Sequence, residues 1–533
     1  MKKIVYSLPL IMMLLGVSCS KDYLNRPPLG LQTDDNFYNS PGAGFKTVVN
    51  CYLGFYDFWG YQAAIAELGN MATDESDKGG SDANDRPFVI DLGYGRALAS
   101  NETLNGLWAA CYKGIGNCNV ALERLPAAKL LDDKGNPLDD KTKSRYLAEV
   151  RFLRAYYYLD LVRIFGGVPL LTKTLQIADR NKIVRAQTSE VFQFITSELE
   201  AVGNDAALPA RKDLPAAEQG RVTKEAAWAV QARAYLFFAE DDKTLYAKAR
   251  DAAKKVISSN AFVLETEYQQ LFLKDGYKSQ ESVFPLIFGD DPAAFIYGTT
   301  LPIYCSPRNV GGWGFDCPTQ SLVDEFEPGD PRILFTVMDP GDVFPKASGS
   351  ETLDFSSYPN TGHHNRKVFL PENRRGQGWG NDAWTMHLVR YADVLLMYAE
   401  AVLESGGSKQ EAADYINMVR TRASNSVHTD VEAVSRKRAV ANTPLVPVTA
   451  ADDLRKALRH ERRVELGCEY GRVFDLLRWN TYVSTMKDYS TRPYSNGKGG
   501  AFRAPASGNK YLFPIPQQEI DRTGGGIKQN PGY

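Results

Sequence analysis

Only 5 histidines occur in 533 residues. The one in "HERRVEL" begins like a zinc-protease helix, but position 464 is Val464 where a second histidine is needed, so His460 and Glu461 cannot make that site. His363 and His364 sit side by side in a loop-like stretch and are given no metal role. The seven cysteines contain no CxxC pair, which argues against a structural zinc. No GxSxG elbow and no phosphate-cradling P-loop occurs. No catalytic acid, base or nucleophile and no cofactor is therefore assigned. Charge of one sign is also missing: 62 basic residues face 64 acidic ones, without a basic block, and nucleic acid is excluded as a partner. Past the first residues no further run of about 18 apolar side chains exists, so no helix is expected to span a membrane.

What is present begins with the leader. Lys2 and Lys3 precede a nearly unbroken apolar run over 4–17, and the small residues Gly16, Val17 and Ser18 lead to Cys19. This is the layout of a secretory signal, too short for a membrane span and weakened for that role by Pro9. A signal ending at a cysteine resembles that of a bacterial lipoprotein. Residues 1–18 are then removed, and Cys19 becomes an acylated N-terminus whose chains hold the protein on a membrane. Residues 20–40, with Pro27 and Pro28, read as a tether. The other cysteines do not form a dense framework. Cys111 and Cys118 lie two helical turns apart, roughly 10 Å and too far to bridge, and only a local Cys305–Cys317 pairing is worth considering.

The chain is mainly helical. Helical pattern covers 41–66 and 101–125, and 146–165 is the clearest case. One stripe there runs Tyr146, Val150, Leu153, Tyr157, Leu161, Ile164; a second runs Ala148, Phe152, Ala155, Leu159, Val162. Two stripes mean a helix wedged between two neighbours, which makes Tyr156, Tyr157 and Tyr158 core residues. Gly166 and Gly167 offer a stop, and Pro169 bars continuation. Two helical hairpins follow, 223–240 with 244–258 and 383–405 with 409–424, the last opened by a Ser408–Glu411 capping box. Hairpins of this size predict a tetratricopeptide-like solenoid. Residues 262–380 have another texture, rich in Gly, Pro and aromatics, in which "ESVFPLIFG" reads as a strand and the rest as long ordered loops, where binding usually resides.

Two loops supply candidate ligand contacts. "FIYGTTLPIYCSPRNVGGWGFD" carries Tyr297, Tyr304, Arg308, Asn309 and Trp313; "DESDKGGSDANDRPFVIDLGYGR" carries Asp77, Arg86, Phe88 and Tyr94. Aromatic faces match the C–H faces of sugars, and Asn, Asp and Arg read hydroxyls. Trp313, between glycines, is the leading position; Trp379 and Trp384 rank below it. Read as a calcium loop from Asp74, the acidic stretch places Lys78 where an oxygen ligand belongs, so a solvated loop is the simpler expectation. "RHERRVELGCEYGRVFDLLRW" mixes five arginines with four acids, and is expected to be an ion-pair network inside the scaffold rather than an anion site.

"RFLRAYYYLDLVRIFGGVPL", "VRYADVLLMYAEAVLESGG", "RHERRVELGCEYGRVFDLLRWN" and the closing "FPIPQQEI…QNPGY", with "CSKDYLNRPP" at the start, resemble the SusD/RagB family in order from Cys19 to Tyr533. The resemblance implies a helical scaffold of 19–261 and 262–533 intertwined as one unit, with 262–380 as the variable binding segment. It implies a surface-exposed outer-membrane lipoprotein that captures oligosaccharides and passes them to a SusC-type TonB-dependent transporter. The alternatives are a peptide ligand, as in the RagB branch, and a lipid-anchored glycoside hydrolase, which would need two carboxylates about 5 to 10 Å apart across a cleft.

Overall fold

The structure, a computed structural model, describes residues 37–273, 275–289, 298–355, 361–376, 380–441, 443–491 and 511–533. Cys19, Tyr297 and Trp379 lie outside the described residues.

Helices Glu102–Arg124, Asp140–Phe165, Thr188–Asn204, Lys224–Phe238, Leu245–Ser258, Tyr391–Glu404, Lys409–Asn425 and Leu454–Leu466 pack each on the next, as a helical-hairpin solenoid. Both stripes of Asp140–Phe165 are buried, and Tyr156, Tyr157 and Tyr158 are core. Asp139 caps that helix through the Thr142 amide at 2.8 Å, and it ends at Gly166. Ala226, Ala227, Ala229, Ala232 and Ala234 are fully buried. Without bulk at these positions Lys224–Phe238 can sit against Thr188–Asn204 on one side and Leu245–Ser258 on the other.

The helix expected over 383–405 starts later. Trp384–Arg390 is a strand, paired antiparallel with Ser282–Phe288, Leu286 opposite Met386. "WTMHLVR" has an apolar texture that suits either state over so short a run, and the pairing partner, about 100 residues away, decides it. This ribbon closes the ends of the segment 289–383, which leaves the solenoid after Leu245–Ser258 and returns to it at Tyr391–Glu404. An apolar cluster of its own, Val310, Met338, Phe344, Leu353, Phe355 and Phe369, packs within the described residues of that segment. The capping box at Ser408 is half made. Ser408 accepts from the Glu411 amide at 3.2 Å, but Glu411 accepts from the Tyr398 hydroxyl at 2.7 Å instead of reaching back. Cys305 and Cys317 are buried free thiols, so the local disulfide is not formed.

Four of the five arginines in the arginine-rich stretch, Arg462, Arg463, Arg472 and Arg478, belong to an interior ion network, as expected, while Arg459 stands outside it. Glu465, fully buried, accepts from Arg332 at 2.8 Å, Arg390 at 2.5 Å and Arg422. Those arginines also bind Asp330, Glu461, Glu281 and Glu469. The charges come from the last solenoid helices, from the ribbon residues Glu281 and Arg390 and from Asp330 and Arg332 midway along the inserted segment, so the network bolts the insertion to the scaffold. At its margin His460 sits between Glu325 at 2.7 Å and Glu327 at 3.0 Å. Burial opposes its charge, but these carboxylates, with Glu461 behind, hold its pKa above 6.5. The protonated ring therefore contributes fully below about pH 6.5, and the contribution is lost as pH climbs through the folded value. Thermal stability is expected to decline on the alkaline side of pH 6.5, and His460→Gln to flatten that decline. An identical slope in the variant contradicts this role.

Candidate functional site

The stretch read as one helix over 41–66 is broken, and the break makes the site. Helix Ala43–Tyr52 ends, and the chain resumes in two π-helical turns, Phe58–Gln62 and Glu67–Met71, around Ala63–Ala66. Asp57 starts the first turn by accepting from the Gly60 amide at 3.0 Å. The wider turn carries Phe58 and Trp59, and Trp59 is 48% exposed. Such insertions recur at functional sites because they re-aim side chains.

The two loops singled out in the sequence meet here. Strand Ser76–Gly79 pairs antiparallel with Phe315–Pro318, Asp77 opposite Cys317. The junction depends on Gly79, which has φ +73°; a Cβ there would lie 1.9 Å from the Gly314 carbonyl oxygen. Past this junction Arg86, itself in left-handed backbone at φ 52°, turns back over the site.

The result is an aromatic platform. Trp59 and Trp313 are offset-stacked, with centroids 5.7 Å apart and planes 14° from parallel. Phe58 and Tyr304 present their edges to Trp313 from 6.3 and 6.1 Å. The Arg86 guanidinium lies 4.5 Å from the Trp59 ring centre and 4.6 Å from that of Phe88. It is fixed by Glu67, a fully buried carboxylate from the second π turn, to which Arg86 Nε donates at 2.8 Å and the Tyr304 hydroxyl at 2.6 Å. Burial, reinforced by Glu67, pushes the Tyr304 hydroxyl well above its ordinary pKa, so it stays a neutral donor. Flat apolar faces held beside a fixed guanidinium can stack on a sugar ring and donate to its hydroxyls.

The predicted residues divide accordingly. Trp313, Arg86 and Phe88 come together in the platform. Tyr304 belongs to it as a buried support: it is 0% exposed, with Phe315 stacked on it at 4.4 Å, and cannot itself face a ligand. Arg308 reaches the rim, donating to the Trp313 carbonyl at 3.0 Å and standing 3.8 Å from Asp85. Asn309 points elsewhere, to the Thr352 carbonyl at 2.9 Å. Asp77 accepts from Tyr489 at 3.0 Å, and Tyr94 stacks on Arg96. The glycine beside Trp313 has a steric reason, since a Cβ at Gly312 would lie 2.0 Å from the Ser306 carbonyl. Phe58, Trp59 and Glu67 were missed. The one available signal was the aromatic pair "FW" directly after Asp57 in a segment otherwise patterned as helix.

In the acidic loop, Asp74 binds Arg472 at 2.9 Å and Arg463 at 3.0 Å, and Lys78 donates to the Asp82 carbonyl at 3.0 Å. Among the described residues no group of three or more His, Cys, Asp or Glu side chains is placed to hold a metal ion, and no helix is long and apolar enough to cross a membrane.

Comparison with known proteins fits this architecture. The SusD family model matches residues 280–533, and a model described as starch-binding and associating with the outer membrane matches 65–236. A SusD-like protein P2 of Formosa agariphila is 25% identical over all of both chains. The starch-binding protein SusD of Bacteroides thetaiotaomicron is 25% identical over 75% of each chain. The surface glycan-binding protein A from Bacteroides fluxus superposes with a TM-score of 0.72 at 25% identity, over 93% of this chain and 100% of that one. With its helical-hairpin scaffold, its two matched segments and relatives that run its full length, the chain belongs to the SusD family.

Proposed function

We propose that this chain binds an oligosaccharide on the Trp59–Trp313 platform and breaks no bond in it. The offset-stacked pair, with Trp59 half exposed beside a clamped Arg86, is the observation that carries this reading. The names of the relatives, a starch-binding protein and a surface glycan-binding protein, support the same ligand class. In the full reading Cys19 is acylated and holds the chain on the outer face of the outer membrane. The regions 19–261 and 262–533 act as one unit, and a SusC-type TonB-dependent transporter receives the glycan.

The test is a glycan-array screen of the purified chain, followed by calorimetry on the best ligand. Trp59→Ala and Trp313→Ala are each expected to remove about 2 kcal/mol, roughly 30-fold in affinity, as for a central aromatic anchor. Unchanged affinity in both variants discards the platform. Accumulation of cleaved product would replace binding by hydrolysis, and a peptide bound in preference to every glycan would replace the ligand class. For the anchor, Cys19→Ser is expected to release the protein from the membrane fraction, and mass spectrometry to find acyl chains on the wild-type N-terminus; an unmodified Cys19 rejects it.

A further inference from the structure

An open groove of about 790 Å³ runs between the helix Leu454–Leu466, the chain over 446–453 and the residues after Arg472–Arg478; none of the platform residues lines it. Its walls carry six arginine or lysine side chains against four carboxylates. Four of the cations are already paired. Arg420 binds Glu327 and Glu461, Arg463 binds Glu325, Arg472 binds Asp74, and Arg455 binds Glu404. The acids Asp452 and Asp453 are engaged by backbone amides of Thr449 and Lys456.

Arg459 and Lys456 remain, with no carboxylate in ion-pair range among the described residues. Arg459 is held in place all the same. Its guanidinium lies 4.7 Å from the ring centre of Trp479, whose indole N–H is fixed on Glu400 at 2.8 Å. Its Nε is buried and has no hydrogen-bond partner. That atom is covered by protein, so the donors a groove ligand can reach are the terminal N–H groups of the guanidinium. The planar fork of a guanidinium matches a carboxylate or sulfate through two parallel donors. Lys456 adds charge one helical turn away, and Thr481 and Thr485 line the same groove.

We propose that this groove is a second binding site, in which Arg459, with Lys456, captures the carboxylate or sulfate group of a soluble anionic ligand. Assigning that group to an acidic saccharide rests on the glycan reading above; the capture of an anion does not.

The experiment is calorimetric titration of the purified full chain, at low ionic strength, with D-glucuronate, glucose 6-sulfate and glucose. Saturable binding of either charged sugar, none of glucose, a tenfold or greater loss in Arg459→Gln and a smaller loss in Lys456→Gln are expected, with Trp59→Ala unchanged. Which charged sugar binds more tightly distinguishes carboxylate from sulfate. Thermal melts of both groove variants should match the wild type, since neither residue holds another side chain in an ion pair. Failure of both charged sugars to bind, equal binding of glucose by Trp59→Ala, or wild-type affinity in Arg459→Gln overturns the site. Loss of binding in Trp59→Ala alone moves the anion to the platform and equally overturns it.

Discussion

Replacing Glu465 by alanine is expected to cost about 3–5 kcal/mol of stability, the range for removing one partner from a buried charged network. Three arginines converge on this single carboxylate, and Arg332 and Arg390 are almost wholly buried. Truncation leaves their charges facing one another in a medium where neither water nor another acid fully answers them. The Glu465 backbone carbonyl, which accepts from Tyr268 at 2.6 Å and Lys367 at 3.0 Å, would survive the substitution, so the loss reports the carboxylate itself. Desolvation opposes the charge, but the arginines hold the Glu465 pKa well below the ordinary carboxylate value. Its contribution is therefore complete above about pH 4.3, the unfolded value, and is lost only as pH falls through the lower folded one. Chemical denaturation at pH 7 measures the effect, and a midpoint shift worth less than about 1 kcal/mol would show that the cluster is dispensable. Glu465→Gln keeps the shape and loses the charge. A loss close to that of the alanine variant assigns the effect to electrostatics rather than packing.

Glu67→Ala should couple stability to binding. Glu67 carries no exposed surface, and it orients Arg86 and Tyr304 at once. Without it the half-buried Arg86 guanidinium loses its acid and the Tyr304 hydroxyl its acceptor, a loss of about 2–3 kcal/mol for charged hydrogen bonds. The released Arg86 no longer has reason to stay over Trp59, so glycan affinity should drop about tenfold, worth about 1.4 kcal/mol. In Trp59→Ala affinity falls while stability barely changes, because that ring is half exposed. Parallel calorimetry and denaturation curves distinguish the two. Full affinity in a destabilised Glu67→Ala would make Glu67 a structural residue with no part in placing Arg86.

The scaffold was largely legible from the sequence because its information is local. The double stripe of 146–165 and the glycine stop after Phe165 each act within a few residues, and the structure places both as read. Expectation failed where distant partners intervene. Trp384–Arg390 became a strand because Ser282–Phe288 lies beside it. Tyr304, read from its loop as a candidate ligand contact, is buried because Phe315 and Glu67 reach it from elsewhere in the chain. Trp59 was hidden in a helical pattern, since nothing local announces a π turn that rotates one side chain outward.

The sequence by itself therefore determined most of the solenoid helices and the faces they bury, and that two aromatic loops carry polar and stacking groups. Periodicity and capping act over a turn or two of chain. Only the tertiary structure decided that Ser76–Gly79 and Phe315–Pro318 pair, that Trp59 rather than Tyr304 faces solvent beside Trp313, and that Arg459 is left without an acid. Those outcomes depend on distances between residues far apart in the chain, which packing alone sets.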